Sequence, residues 1–248
     1  MRRFTVGDIH GNLIALEDVL KKVNFNDEED MLIVLGDVAD GYHVKLYECI
    51  ERIRRIKNRI WVRGNHDAWL LKWFNKNIYG QEEYAWLSQG GYQSRSDYLD
   101  ENGFRDWSRI DPHHKELKES VLYHIDSDNN LFIHAGIDWN FPIDRQPEAP
   151  DIYYWDRVTF QLSFNYQIEG KQFPYKTVFI GHTATPHSDC TRRPHCRCLE
   201  PIQQANLWNI DQGAGSIGRL TLMNVDTFEY VQSSRREEFQ KVRYTCND

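Results

Sequence analysis

Five short apolar runs constrain this chain more than any other feature, because each is closed by a glycine-containing turn carrying a side chain able to bind a metal. The runs are Phe4 to Val6, Met31 to Leu35, Ile60 to Val62, Leu131 to Ile133 and Thr177 to Ile180, and their β-branched and aromatic content is that of buried strands. The turns are Gly7-Asp8-Ile9-His10, Gly36-Asp37, Gly64-Asn65-His66, His134-Ala135-Gly136 and Gly181-His182. Glycine lets the backbone bend sharply at a strand end and approach a ligand closely. In open α/β sheets ligands bind at the carboxyl ends of strands, so turns scattered through most of the chain would converge on one place. An isolated Gly-Asp is an ordinary turn, and a lone strand-end histidine is more often a hydrogen-bonded polar residue than a ligand. Repetition on five strands makes the set a candidate metal centre.

Between the first two runs Leu13, Leu16, Leu20 and Val23 recur at helical spacing, and Tyr47, Ile50, Ile53 and Ile56 do so between the second and third. That β-α-β-α-β order implies parallel pairing in a layered α/β fold. From about Ala68 to Ser120 the pattern turns helical and aromatic, with Trp69, Leu70, Trp73 and Phe74 followed by Tyr84, Trp86 and Leu87, and predicts a helical insertion. After Asn206 the runs NLWNI, RLTLMNV and FEYVQ alternate like antiparallel strands and are expected to form a second sheet. A length of 248 residues is enough for one α/β domain, residues 1–248, to bury a core without disulfides.

The formal net charge of -7 gives no general attraction to polyanions, which argues against a nucleic-acid partner. Arg52, Arg54, Arg55, Lys57 and Arg59 make a basic stripe, but on a helix whose other side is apolar they read as a solvated face. No stretch approaches the roughly 20 apolar residues of a membrane helix. The start, MRRFTV, runs straight into the first motif, so a cytoplasmic location is expected. Cys190, Cys196 and Cys198 lie with His187 and His195 in one short loop that could hold a structural zinc ion. Their spacing contains no CxxC pair, and a loop of reduced thiols is the preferred reading.

Imidazole combined with carboxylate and amide oxygen suits a borderline divalent ion such as Mn, Fe or Zn. The segments GDIHG, GDVAD, GNHD, HAG and GHT, in this order, resemble those of the calcineurin-like metallophosphoesterases. Trp86 to Gly91 resembles the WLxNGG segment of the bacterial and phage phosphoprotein phosphatases, Tyr154 to Arg157 their LLWIR segment and Asn209 to Gly215 their LDTGAG segment. The resemblance extends from Val6 to about Gln232. It implies an αββα sandwich of two mixed β-sheets flanked by helices. It also implies two divalent metal ions, with Mn expected and Fe or Zn acceptable: Asp8, His10 and Asp37 would hold the first, and Asp37, Asn65, His134 and His182 the second.

The same resemblance makes His66 the general acid, oriented by Asp40, and places Arg63, Arg157 and Asn65 on the phosphate. The implied activity is hydrolysis of phosphoserine or phosphothreonine esters, in a phosphorylated protein or a small phosphoester, by direct attack of a metal-bridging hydroxide. Hydrolysis of a dinucleoside polyphosphate, or of a nucleic-acid end phosphate, by the same dinuclear chemistry is the alternative. A fold kept only as a scaffold would show broken ligand positions, and here every position is filled. One departure bears on substrate: the family reads GDxVDRG where this chain has Gly36-Asp37-Val38-Ala39-Asp40-Gly41-Tyr42. Gly41 stands in place of a phosphate-binding Arg, with Tyr42 or Arg192 as candidate substitutes.

Overall fold

Three of the predicted runs become neighbouring parallel strands, β1 (Arg3–Val6), β2 (Met31–Val34) and β3 (Asn58–Trp61). Their register sets Val6 opposite Val34 and Val34 opposite Trp61, so the three strands end level and the turns beyond them lie side by side. The crossovers are α1 (Leu13–Lys22) and α2 (Leu46–Arg54). The computed structural model describes residues 1–41, 45–186, 199–216 and 218–234. Tyr42, Arg192 and the cysteine loop His187, Cys190, His195, Cys196 and Cys198 therefore lie outside the described residues.

After β3 come α3 (Asn65–Phe74), α4 (Gly80–Trp86), a π-helical turn at Leu87–Gly91, α5 (Tyr92–Ser96) and α6 (Trp107–Glu119). This helical segment starts at Asn65, ahead of the expected Ala68. The Gly64 N–H donates to the Asp67 carboxylate at 3.1 Å, which closes the first turn of α3 directly on the motif. The chain continues through β4 (Tyr123–Ile125), β5 (Asn130–Ile133), α7 (Asp151–Trp155), α8 (Val158–Glu169) and β6 (Thr177–Ile180). It then runs through β7 (Ile202–Gln204), β8 (Leu207–Asn209), β9 (Asp211–Gln212), β10 (Arg219–Asn224) and β11 (Tyr230–Gln232).

Two mixed sheets result, in the orders β11-β10-β1-β2-β3, with β9 on β10, and β4-β5-β6-β8-β7. The expectation that the strands after Asn206 form a sheet of their own is corrected. β8 lies parallel to β6 in the second sheet, while β10 lies antiparallel to β1 in the first. Both β1 and β6 would otherwise end their sheets with unpaired backbone groups, and one strand of this segment covers each edge. The chain passes between sheets at Ile210, whose N–H still donates to the Ile180 carbonyl at 3.1 Å, and this passage delivers Asp211 to the strand ends.

The alternation of side chains builds the layers. Leu32 and Val34 face α1, α2 and α3, whereas Ile33 points the other way and packs with Phe132, Phe179 and Met223 between the sheets. Phe132 and Phe179 stack there at 5.0 Å between ring centroids. Leu131, Ile133, Val178 and Ile180 face outward against Tyr153, Tyr154 and Phe160 of α7 and α8. The architecture is the expected αββα sandwich. The basic stripe, expected on one helix, runs from α2 through the turn beyond it to Arg59 on β3; Arg52 pairs with Glu17 and Asp27, Arg54 with Glu51, Lys57 with Glu28 and Arg59 with Glu116, so most of it is matched by acidic side chains. Among the described residues no helix is long and apolar enough to cross a membrane.

Candidate metal centre

The turns that follow β1, β2, β3 and β6 meet over a cavity of about 330 Å³ whose wall includes Asp8, His10, Asp37, Asn65, His66 and His182, while His134, after β5, lies behind that wall against Asn65 and Asp37. They are hung on one another through the backbone. The N–H groups of Ile9 and His10 donate to the Asp37 carbonyl at 3.0 and 2.9 Å, and Gly11 donates to Val38 at 2.8 Å. Asp67 ties the second and third turns together, accepting from Val38 and Ala39 on one oxygen and from Gly64 and the Trp61 indole on the other. Gly36 shows why that position excludes a side chain. Its φ is +98°, and a Cβ there would come within 2.7 Å of His134 Nδ1 and 2.6 Å of Gly64 N. His10, Asp37, Asp40 and His182 also adopt positive φ values between 47° and 64° without being glycine. Such conformations cost of order 1 kcal/mol or more each and persist where the surroundings overdetermine them.

Each imidazole is oriented by a fixed hydrogen bond. His134 Nδ1 donates to the Leu35 carbonyl at 2.7 Å, which turns Nε2 toward Asn65 Oδ1 at 3.0 Å and Asp37 Oδ2 at 3.4 Å. His10 Nδ1 faces the Asp40 carbonyl at 2.7 Å, which directs Nε2 toward Asp37 Oδ2 at 4.0 Å. His182 Nδ1 approaches the same Asn65 oxygen at 3.0 Å, and its Nε2 is buried with no hydrogen-bond partner. Asp37 thus lies between two sets of donors. His10, Asp37 and His66, and separately Asp37, His134 and His182, bring one ligand-capable atom each within 4.8 Å of one another. Asp8 reaches the cavity but is in neither group. Its carboxylate accepts the His182 N–H at 3.0 Å and so joins the turn after β1 to the turn after β6.

The electrostatics call for positive charge. Burial, then the neighbouring Asp211 and Asp37, push the Asp8 carboxyl well above its usual range. Burial likewise raises Asp211. For Asp37 burial acts in the same direction, but the charges of His134 and His66 outweigh it and hold the carboxylate well below its usual range. Burial opposes protonation of His66. Asp37 and then Asp40 overcome that opposition, and the imidazole is pushed up to about 9. Burial and the His134 charge bring His182 down to about 2. A cluster that draws protons onto His66 and His134 while leaving His182 neutral, its Nε2 without a hydrogen-bond partner, fits divalent cations, which compete with protons for the same lone pairs. The residues present therefore fit a dinuclear centre, and the second nitrogen of His10 and of His134 is already pinned as ligating histidines require.

His66 lies on the first turn of α3 with Nδ1 2.8 Å from Asp40 Oδ2, so the expected acid and its partner are in contact. Arg157 lines the cavity, its guanidinium donating to Thr183 Oγ1 at 3.1 Å. Arg63 is different. Its guanidinium donates to Ser120 Oγ and to the carbonyls of Leu117, Lys118 and Ser120 at the end of α6, and the structure does not bring it to the cavity wall. In this geometry the end of α6 holds Nε and Nη2 of Arg63, and of the two expected phosphate-binding arginines it is Arg157 that lines the cavity. Gly41 does reach the wall, and a Cβ there would sit 2.3 Å from the His10 carbonyl, so this backbone leaves no room for the missing arginine. Asp211, on the cavity wall, carried no role in the sequence reading, although its strand-end position before Gly213 has the same form as the other turns.

Residues 1–186 match the profile of the family described as calcineurin-like phosphoesterase. A protein of Pectobacterium carotovorum named bis(5'-nucleosyl)-tetraphosphatase, symmetrical, is 31% identical over 150 residues, 57% of this chain and 46% of the relative. One of the same name from Hamiltonella defensa is 28% identical over 199 residues, 76% of this chain and 59% of the relative. The chain spans about half the length of these curated relatives. Among solved structures, a metallophosphoesterase from Sphaerobacter thermophilus superposes with a TM-score of 0.57 at 20% identity, covering 99% of this chain and 93% of that one. A candidate diadenosine tetraphosphatase gives 0.64 at 22% identity, covering 94% and 93%. These two likenesses bear on the fold.

Proposed function

The chain belongs to the calcineurin-like phosphoesterases, and from that membership we propose that it cleaves phosphoanhydride bonds in a dinucleoside polyphosphate at a dinuclear metal centre. The observation that carries this reading is the shared name of the curated relatives. The rim of the cavity agrees with it. Trp155 lies on the wall 42% exposed, backed by Trp69 at 5.0 Å between ring centroids, and offers an aromatic face on which a base can stack.

Asp8, His10 and Asp37 would hold one divalent ion and Asp37, Asn65, His134 and His182 the other. Bound there, the ions would supply Lewis acidity toward the phosphoryl oxygens and the attacking water. The protein's own residues do the rest. Arg157 donates to the phosphoryl oxygens beside the centre. As the bond to phosphorus breaks, the leaving oxygen takes a proton from His66 Nε2, while Asp40 holds the ring by Nδ1.

That dyad also favours a second reading, hydrolysis of a phosphoserine- or phosphothreonine-type monoester. A nucleotide phosphate departs as a stabilised anion, whereas an alkoxide needs a proton. A panel of diadenosine tetraphosphate, a phosphoserine peptide and 3'-phosphorylated RNA, assayed with Mn and with Mg, separates the readings. The expected result is the highest kcat/KM on the tetraphosphate, and negligible turnover of it overturns the proposal. On the preferred substrate, Arg157→Ala should lower kcat/KM about tenfold to a hundredfold, the scale of one charged hydrogen-bonded contact. Arg63→Ala should leave kcat/KM within about twofold and lower the melting temperature, because its Nε and Nη2 tie the end of α6 to the strand end.

A further inference from the structure

The helical segment between β3 and β4 sends one side chain directly into the acid dyad. Trp86, at the end of α4, is fully buried, and its indole N–H points at the Asp40 carboxylate, 2.9 Å from Oδ2 and 3.1 Å from Oδ1. Oδ2 is the oxygen that receives His66 Nδ1 at 2.8 Å. The Asp40 side chain is wholly inaccessible to bulk solvent, so the protein's own donors set the carboxylate plane. An indole N–H can only donate, which suits it to hold an ionised acceptor in one orientation.

The surroundings are built around this contact. A Cβ at Gly91 would lie 2.4 to 2.5 Å from Trp86 ring atoms, so the π-helical turn passes directly against the indole. A Cβ at Gly90 would lie 2.4 Å from Gly41 N, so the same turn is pressed onto the backbone just after Asp40. Ser94 Oγ accepts the Asp40 N–H at 3.0 Å. The Asp40 carbonyl in turn accepts His10 Nδ1, so one clamped residue orients two of the site's imidazoles.

We infer that Trp86 is a positioning residue, which sets the Asp40 carboxylate so that His66 Nε2 faces the leaving oxygen, with Gly90, Gly91 and Ser94 seating the clamp. The inference rests on the reading of His66 as the acid. During the reaction an oxygen of water bonds to phosphorus as the bond to the leaving oxygen breaks, the leaving oxygen takes the His66 Nε2 proton, and a proton from that water restores His66 while Asp40 only holds its ring. Trp86 touches no substrate and acts only through Asp40. Its removal therefore matters most where the leaving group needs the proton most.

The test is kcat/KM on p-nitrophenyl phosphate and on phenyl phosphate, measured with Mn for the unmodified chain, Trp86→Phe, His66→Gln, Asp40→Asn and the Trp86→Phe/Asp40→Asn pair. Phenoxide is the poorer leaving group. The ratio of the two values within one sample does not depend on how much of it is folded, so a destabilised variant remains informative. Trp86→Phe is expected to shift the ratio against phenyl phosphate about tenfold, in the same direction as His66→Gln. The double variant should match Asp40→Asn alone, because the indole acts on the acid through the Asp40 carboxylate. A shift for His66→Gln with none for Trp86→Phe overturns the inference, as does a double variant whose shift is the product of the two single ones. An unchanged ratio in both single variants overturns the assignment of His66 itself and the inference with it.

Discussion

Replacing His66 by Gln is expected to lower kcat on an alkyl phosphate ester by about a hundredfold to ten-thousandfold, the usual contribution of a placed general acid. Glutamine keeps the length of the side chain and a donor that can face Asp40, but it cannot release a proton. The structure poses a second role that the same variant tests, since His66 also lies within reach of His10 and Asp37 as a possible ligand. Its Nδ1 is committed to Asp40, and the ring is held protonated by Asp37 and Asp40, which suits a proton donor better than a ligand. Metal analysis alongside the kinetics decides between them. As an acid, His66→Gln keeps the metal content of the unmodified chain. A variant that loses an ion together with its activity would make His66 a ligand and leave Asp40 as the partner that orients it.

What could be read in the sequence followed from periodicity and from repetition. The five strands and their turns were legible because each apolar run is short, bounded by glycine and repeated in form. The parallel order of β1, β2 and β3 followed from the helices between them. The family resemblance implies a phosphate contact for Arg63. Nothing in a linear pattern reveals that carbonyls ending α6, more than fifty residues away, would hold one end of its guanidinium. The path of the strands after Asn206 was misread for a similar reason. Alternation shows that a segment is a strand but not which exposed edge it will cover, and here two edges, on β1 and β6, competed for one segment. Asp211 was missed with it, since its place at the centre depends on where the chain crosses between the sheets. Trp86 stood in a quoted motif without a role, because a buried indole looks like core until its N–H is seen to meet a buried carboxylate.

The largest opposition between stability and function should appear at Asp8. Its carboxyl lies 2% exposed among Asp37, Asp67 and Asp211, and burial with the charges of Asp211 and Asp37 disfavours its ionised form. Among the described residues its hydrogen-bond donor is the single His182 N–H, and a neutral amide oxygen can accept that bond equally well. Asp8→Asn should therefore raise the melting temperature of the metal-free protein, because it removes an uncompensated buried charge without opening a cavity. The same change removes charge from the ligand set of one ion. Activity should fall by at least about a hundredfold, and the stabilisation by Mn, which grows as RT ln(1 + [L]/Kd), should shrink over the same concentration range. Melting curves with chelator and across a Mn titration measure both effects on one sample. A lower melting temperature without metal would mean that the protein already satisfies the Asp8 charge, and the turn after β1 would then be a structural tie between the sheets instead of a seat for a cation.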